Sequence, residues 1–359
     1  MKILADYHHH DLWESHELTM TDRFGWSLYR PIGMDWFDAG YWNFERQWHG
    51  DKVARQYLEP WGSDVDMGDH FLRYDSSHLR QLKMLTLQQA RDAELDIVIA
   101  SVEHNHEGLA RFASETGAHF GVHLGNVRFG NEADRWDLAE FGILTTKMTP
   151  PWRPHVTIHQ EFSLADFHYE PPPNSCGCVN RVLNVSSFVN CFAENGPAYA
   201  EFRDTAASMP DMHWRVYGSY GSAEPDEYAA GNLDRCASVA TAMRASDVAW
   251  HTKQWSDGFG HVIHDWFAVG RPVFGSYGYY RNQLAGPLWL EGETSFDLDT
   301  KSRDEVAGIL RHLHDDPDWH RTLCENAARR FREVVSFDDD AAALRSLLEN
   351  VASDRLVAA

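Results

Sequence analysis

The most informative segment of the chain reads Trp255-Ser-Asp-Gly-Phe-Gly-His-Val-Ile-His-Asp-Trp-Phe-Ala-Val-Gly-Arg-Pro-Val-Phe274. Its pattern predicts a glycine loop, an amphipathic helix and a buried strand, in that order. Asp257 and Asp265 lie eight positions apart. A helix turns about 100° per residue, so eight positions make two turns plus about 80°, and the two carboxylates point within a quarter turn of each other. A nucleotide diphosphate-sugar suits such a site, because phosphates bind helix N-termini and glycine amides while hydroxyls bind carboxylates.

The segment resembles the donor-site signature of glycosyltransferases with the GT-B fold, especially glycosyltransferase family four. That signature is Glu-Gly-Phe-Gly, a helix with a second glutamate after seven intervening residues, and then Gly-x-Pro-Val. This chain has Asp257-Gly258-Phe259-Gly260, then Asp265, then Gly270-Arg271-Pro272-Val273. Aspartate replaces both glutamates and keeps the charge. The competing interpretation is a surface helix with two solvated aspartates.

Weaker matches to the same family extend over roughly residues 90 to 340. They are short apolar strands with characteristic ends, at residues 95–101, 118–125, 156–167, 214–221 and 243–250. The resemblance implies an α/β protein of the GT-B class, with two Rossmann-like domains and an interdomain cleft. It also implies transfer of a sugar from a nucleotide-sugar to an acceptor, with retention of configuration.

The chain of 359 residues is long for one domain and comfortable for two. We expect residues 1–170 to form an acceptor domain with an aromatic-rich insertion, and residues 171–340 to form the donor domain. Consecutive prolines at 171–173 predict the linker between them. Residues 341–359 are expected to form a helix that crosses back to the first domain. The leucine spacing over residues 76–92 predicts a helix.

The resemblance implies a role for each residue of the signature. Asp257 would bind hydroxyls of the donor sugar, and Asp265 would bind the ribose hydroxyls of the nucleotide. The backbone amides of Gly258, Phe259 and Gly260 would face the distal phosphate or the sugar. The donor is expected to be a UDP- or GDP-sugar, and no cofactor and no catalytic metal ion are expected.

A leaving diphosphate also needs positive charge. Family members use an arginine and a lysine of the second domain, and Lys253, just before the signature, is the first candidate in this chain. Arg181 and Arg281 follow, and each of the three cations could equally be a solvated surface residue. Gly218, in the turn after a predicted strand, is a further donor-site candidate.

Histidines are the candidates on the first domain. His123 is at the position where family members carry a histidine that faces the donor sugar, although a buried structural histidine would give the same pattern. His104 ends the preceding strand, and it is expected to contact the acceptor together with His8 and His10. Adjacent histidines rarely all point at one ion, so the run at 8–10 is weak evidence for a metal site.

Composition limits the partners and the compartment. The formal net charge of −22 repels anionic membranes and nucleic acid at long range. No apolar run approaches the roughly 20 residues that span a bilayer, so no integral membrane segment is expected. Five cysteines, an odd number, fit reduced thiols and a cytoplasmic location.

Several alternatives stay open from the sequence. The acceptor could be a glycan, a small molecule or modified DNA. Some phage enzymes with this fold glycosylate hydroxymethylated bases, and the aromatic-rich first 61 residues could hold a flipped base. A non-catalytic nucleotide-sugar binding protein and a metal hydrolase that uses the N-terminal histidines are the other two interpretations.

Overall fold

The computed structural model describes residues 1–6, 14–32, 36, 64–65, 82–101, 105–125, 137–146, 154–172, 181–233, 236–253 and 259–358. Within them the chain divides into two compact units. Unit 1 is Met1–Phe162 together with Phe337–Ala359, and unit 2 is Ser163–Ser336. The expected domain boundaries were 170 and 340, and the expected cleft stays a prediction.

The strands of the described residues are β1 Lys2–Ala5, β2 Ser27–Pro31, β3 Asp64–Val65, β4 Leu82–Leu85, β5 Ile97–Ala100, β6 His119–Leu124, β7 Phe141–Leu144, β8 His155–Thr157, β9 Asn184–Ser187, β10 His213–Tyr217, β11 Ala229–Gly231, β12 Val248–His251, β13 Val273–Gly275 and β14 Ser295–Asp297. The α-helices are α1 Leu87–Asp92, α2 His106–Thr116, α3 Gly196–Ser208, α4 Cys236–Arg244, α5 His261–Ala268, α6 Tyr277–Tyr280, α7 Arg303–Asp315, α8 Pro317–Val334 and α9 Phe337–Ala358. A π-helix covers Glu17–Arg23, and short 3₁₀ turns cover Phe192–Glu194, Gly286–Leu288 and Leu298–Thr300.

Unit 1 is built on one sheet with the strand order β3-β4-β2-β1-β5-β6-β7-β8. The pairs are parallel except β3 with β4. Strands β5 and β7 are buried along their whole length, as strands covered on both faces are. Helix α9 packs on β8, and Asp340 of this helix accepts a hydrogen bond from the His159 amide at 3.1 Å. The last helix therefore belongs to unit 1.

The predicted helix over residues 76–92 is wrong in its middle. Residues 82–85 form β4, which pairs with β2, and a helix begins only at Leu87. Thr86 separates the two elements, because its hydroxyl accepts from the Gln89 amide and the Gln89 side chain accepts from the Thr86 amide. This reciprocal cap satisfies free amide groups at the helix start, so the helix cannot extend backwards into the strand.

Unit 2 contains a six-stranded sheet in the order β11-β10-β9-β12-β13-β14, with parallel pairing throughout. One face carries the main apolar cluster, which includes Val185, Phe202, Trp214, Trp250 and Phe274. Strand order reverses direction at β9, since β10 lies on one side of it and β12 on the other. In open α/β sheets ligands bind beyond the carboxyl ends of the strands at such a reversal. The predicted α/β class is confirmed for both units.

Candidate donor site

Helix α5 begins at a glycine that no other residue replaces without strain. Gly260 has φ +75° and ψ 47°, and a Cβ there would lie 3.2 Å from a ring carbon of Tyr280. Its carbonyl accepts hydrogen bonds from the amides of Ile263 and His264. Phe259 is buried and stacks on His264 with ring centroids 4.0 Å apart and planes 9° apart. The predicted Phe-Gly pair thus holds the start of α5 in one conformation.

Asp265 lies in the second turn of α5 and is only 3% exposed. Its Oδ1 is 3.7 Å from Nε2 of His261, one turn earlier on the same helix. A buried carboxylate is costly unless polar groups contact it, so this residue is placed for an interaction rather than for solubility. The interpretation of Asp265 as a solvated surface residue is wrong.

The loops after β9 and β10 are tied to each other. The Asn190 side-chain oxygen accepts from the Ser219 amide at 3.0 Å, and the Ser219 carbonyl accepts from the Cys191 amide at 2.8 Å. Glu194 accepts from both the amide and the hydroxyl of Ser222, which lowers the pKa of this carboxyl. These contacts hold the two loops together at the carboxyl edge of the sheet, which is the side where its parallel strands end.

Gly218 lies in the second of these loops, directly after β10. Its φ is +119°, its amide donates to the Gly231 carbonyl at 3.1 Å, and a Cβ would lie 3.4 Å from the Asn190 Cα. The backbone of this turn can therefore approach the neighbouring loop closely. The sequence prediction places Gly218 at the donor site, and its position after β10 puts it at the carboxyl edge.

The three candidate cations lie at opposite ends of the strands. Lys253 is half-buried, two residues after β12, and Arg281 is exposed directly after α6, so both follow carboxyl ends of strands. Arg181 precedes β9 at the opposite edge. It donates to the carbonyls of Leu313 and His314 at 2.5 and 3.0 Å. The structure therefore does not bring Arg181 together with the other two.

In unit 1, the ring of His123 contacts a histidine that no sequence pattern singles out. His123 is 1% exposed, and its ring meets that of His16 edge-on, with centroids 5.0 Å apart and planes 87° apart. Burial lowers the pKa of His123 to about 3 and holds the pKa of His16 well below its usual value. Both imidazoles are therefore neutral at physiological pH. No local pattern signals the contact, because 107 residues separate the two positions.

A second polar group that sequence reasoning missed lies at the end of β1. The Asp6 carboxylate accepts from the Ser101 amide at 2.5 Å, from the Ser101 hydroxyl at 3.0 Å and from the Asn105 side-chain amide at 2.7 Å. Three donors around one carboxylate make it a fixed acceptor. An aspartate directly after a first apolar strand was the only available sequence signal.

Five predicted site residues lie outside the described part of the chain. They are Asp257 and Gly258 of the signature, and the histidines His8, His10 and His104. Their roles stay predictions. Within the described ranges, no group of three or more His, Cys, Asp or Glu side chains is arranged to hold a metal ion. No helix in those ranges is both long enough and apolar enough to cross a membrane.

The two parallel sheets and their helices define the GT-B fold, which solved structures share over nearly the whole chain. Anabaena HepE, in a complex with UDP-glucose, is 15% identical, with coverage of 98% of this chain and 100% of that chain and a TM-score of 0.63. Sucrose-phosphate synthase from Thermosynechococcus elongatus is 11% identical, with coverage of 99% and 100% and a TM-score of 0.66. A glycosyltransferase from Rickettsia africae is 11% identical, with coverage of 98% of both chains and a TM-score of 0.63.

Sequence comparison adds nothing to this likeness. No family model matches the chain, and no curated protein sequence is similar to it. At 11–15% identity the structural similarity establishes the fold alone. The predicted GT-B class is confirmed, and the activity has to be argued from the site.

Proposed function

We propose that this protein is a nucleotide-sugar-dependent glycosyltransferase that binds its donor at the carboxyl edge of the unit 2 sheet. The observation that carries the proposal is the buried Asp265 carboxylate, in the second turn of α5 after the left-handed Gly260 that starts this helix. A helix N-terminus next to a carboxylate matches the two chemical parts of a nucleotide diphosphate, because a helix N-terminus favours phosphate and a carboxylate accepts hydrogen bonds from the ribose hydroxyls.

We assign the donor contacts by chemistry. Asp265 accepts hydrogen bonds from the ribose hydroxyls, and Asp257 accepts from hydroxyls of the sugar. Amides of Gly258, Phe259 and Gly260 face the distal phosphate or the sugar. We propose a UDP-sugar as the first choice of donor because HepE, which shares the fold, was crystallised with UDP-glucose; a GDP-sugar is the second choice.

Catalysis in this proposal relies on fixed charges. When the bond between the anomeric carbon and the diphosphate breaks, negative charge grows on the diphosphate, and Lys253 and Arg281 stabilise it from the carboxyl edge. His123 is neutral, since its pKa is about 3, so it donates or accepts a hydrogen bond at a hydroxyl and contributes no positive charge. We propose retention of configuration, on the basis of the family-four signature, and no catalytic metal ion.

One observation favours a second candidate, a non-catalytic nucleotide-sugar binding protein. Residues 188–195, which form the loop after β9 and are all described, include no lysine or arginine. Less positive charge near the diphosphate makes bond cleavage slower while it leaves ribose recognition intact. Release of free UDP from a UDP-sugar, with or without acceptor, separates the two candidates, because a binding protein releases none.

The acceptor and the compartment are also proposals. We favour a glycan or a small molecule as acceptor, since a net charge of −22 opposes approach to nucleic acid. We propose a cytoplasmic location on the basis of the odd number of cysteines, five, which fits reduced thiols. Hydroxymethylated DNA is the alternative. Transfer to DNA that falls steeply between 50 and 200 mM salt, by the roughly thousand-fold or more expected for several phosphate contacts, would select the DNA acceptor.

The test of the main proposal is a thermal-shift screen over UDP-, GDP- and ADP-sugars, followed by a release assay with each ligand that binds. A donor at one hundred times its dissociation constant stabilises the fold by about 2.7 kcal/mol. The Asp265→Asn variant keeps the side-chain shape but removes the charge, so it should lose most of this shift. If no nucleotide-sugar stabilises the wild-type chain, the proposal is wrong.

A further inference from the structure

A pair of stacked aromatic rings lies at the carboxyl edge of the unit 2 sheet. Phe188 directly follows β9, and Tyr217 ends β10. The two strands pair in a register that sets Ser187 opposite Val216, so Phe188 and Tyr217 are the next pair outward. Their ring centroids are 4.5 Å apart and their planes are 20° apart. Both side chains are half-buried, whereas Val185 and Val216 on the same two strands are buried.

The rings are held from behind by helix α5. Side chains alternate between the faces of a strand, so Phe188 and Tyr217 share the face opposite Val216 and the main apolar cluster. On that face, Trp266 meets Phe188 edge-on, with centroids 5.2 Å apart and planes 81° apart. Trp266 is fully buried, and it follows Asp265 in the sequence. One helix therefore supports both the ring pair and the carboxylate assigned to the ribose.

The space beside Gly231, which pairs with Tyr217 at the end of the neighbouring strand β11, is open among the described residues. A Cβ built at Gly231 would meet no atom of those residues within 4 Å. This glycine thus leaves a flat ligand room to approach next to Tyr217. The adjoining loop, residues 188–195, has no cationic side chain, so this part of the edge suits an uncharged flat group better than a phosphate.

We infer that Phe188 and Tyr217 form a stacking platform for the nucleobase of the donor. The inference rests on the proposed function, and it assigns the base to the face of Tyr217 that Phe188 does not cover, on the side of Gly231 in β11. Stacking on an aromatic side chain contributes to affinity for any base, because every base has a π-face. The platform therefore supplies nucleotide affinity without selecting strongly between uracil and guanine, and discrimination between bases has to come from other contacts.

The experiment measures binding of two probes by calorimetry. One probe is UDP, with GDP used if it is the better ligand, and the other is ribose 5-diphosphate, which lacks only the base. Tyr217→Leu keeps an apolar side chain but removes the ring. We expect roughly ten-fold weaker nucleotide binding, or more, with affinity for ribose 5-diphosphate unchanged within twofold. Tyr217→Phe retains the ring and should retain affinity. Phe188→Leu removes the ring that supports Tyr217 from the other face, and it should weaken nucleotide binding by a smaller factor than Tyr217→Leu does.

The matched control is Tyr228→Leu. Tyr228 is also half-buried, but it packs on the main apolar cluster, with its ring 5.7 Å from that of Phe202. It should lose stability without losing nucleotide affinity, and a melting curve for each variant checks the fold. The platform is wrong if Tyr217→Leu binds the nucleotide as wild type does, or if it loses both probes equally. Nucleotide binding that depends on Asp265 but not on Tyr217 would overturn the platform alone. Absence of any nucleotide binding by the wild-type chain would overturn the proposed function as well.

Discussion

Replacing Asp265 by alanine is the sharpest test of the donor site. The side chain is 3% exposed in the second turn of α5, and it is the acceptor proposed for both ribose hydroxyls. Hydrogen bonds to a charged acceptor contribute about 1.5–3 kcal/mol net, so the dissociation constant for UDP should rise roughly ten- to 150-fold. Asp265→Asn retains an acceptor oxygen and the volume, and it should fall between wild type and alanine.

The assay is calorimetry with UDP and with 2′,3′-dideoxy-UDP, which carries neither ribose hydroxyl. The wild-type chain should bind the dideoxy nucleotide weakly, and Asp265→Ala should bind the two nucleotides almost equally. A general loss of structure would instead weaken both ligands by the same factor. The contact with His261, at 3.7 Å, is lost in the same variant, so His261→Gln is measured alongside to separate the two effects. Unchanged UDP affinity in Asp265→Ala would refute the reasoning.

Three further predictions concern catalysis, backbone geometry and stability. His123→Gln should lower turnover by more than it lowers UDP affinity, and kcat should show no pH break from this group between about 5 and 8, because its pKa is about 3. Gly260→Ala should destabilise the fold by more than Gly292→Ala and should alone weaken UDP binding, since both have φ near +75° but only Gly260 has a ring carbon 3.2 Å from the added Cβ. Arg271→Ala should cost about 3–5 kcal/mol in a denaturant titration, because this fully buried side chain donates to five backbone carbonyls, whereas Arg311→Ala, on the surface, should change stability by about 0.5 kcal/mol at most.

The low pKa of His123 also leads to a prediction about stability in acid. In the unfolded chain His123 takes up a proton as the pH falls below about 6.5, whereas in the folded protein it stays neutral until the pH approaches 3. Between these two pH values the unfolded state binds more protons than the folded state. The free energy of unfolding therefore decreases as the pH is lowered, by about 1.4 kcal/mol per pH unit for each such group. His123→Gln should flatten the profile between pH 6 and 4. An unchanged slope would contradict the neutral, buried state of His123. Full turnover in the variant would contradict its proposed role in catalysis.

The fold class was accessible from sequence because its signals are local. Apolar runs followed by glycine turns and amphipathic segments predict a parallel sheet with helices, and each signal lies within about twenty residues. The start of a helix after Gly260 was likewise predictable from its neighbours, whereas the left-handed conformation of this glycine is known only from the structure. The helix predicted over residues 76–92 failed for the converse reason. Whether residues 82–85 form a strand depends on pairing with β2, about fifty residues earlier, and a leucine pattern does not record that.

The order in which residues occur along the chain therefore determined the α/β class, the signature and the position of Asp265 on its helix. Only the tertiary structure decided which of the candidates share an edge. Lys253 and Arg181 were both candidate cations in the sequence, with Lys253 the first choice. They separate in the structure because Arg181 precedes a strand and Lys253 follows one in a parallel sheet. The contact of His16 with His123 and the stacking of Phe188 on Tyr217 join segments that are distant in sequence. Contacts between distant segments are properties of the packed sheets, so no periodicity or motif in the chain records which side chains meet.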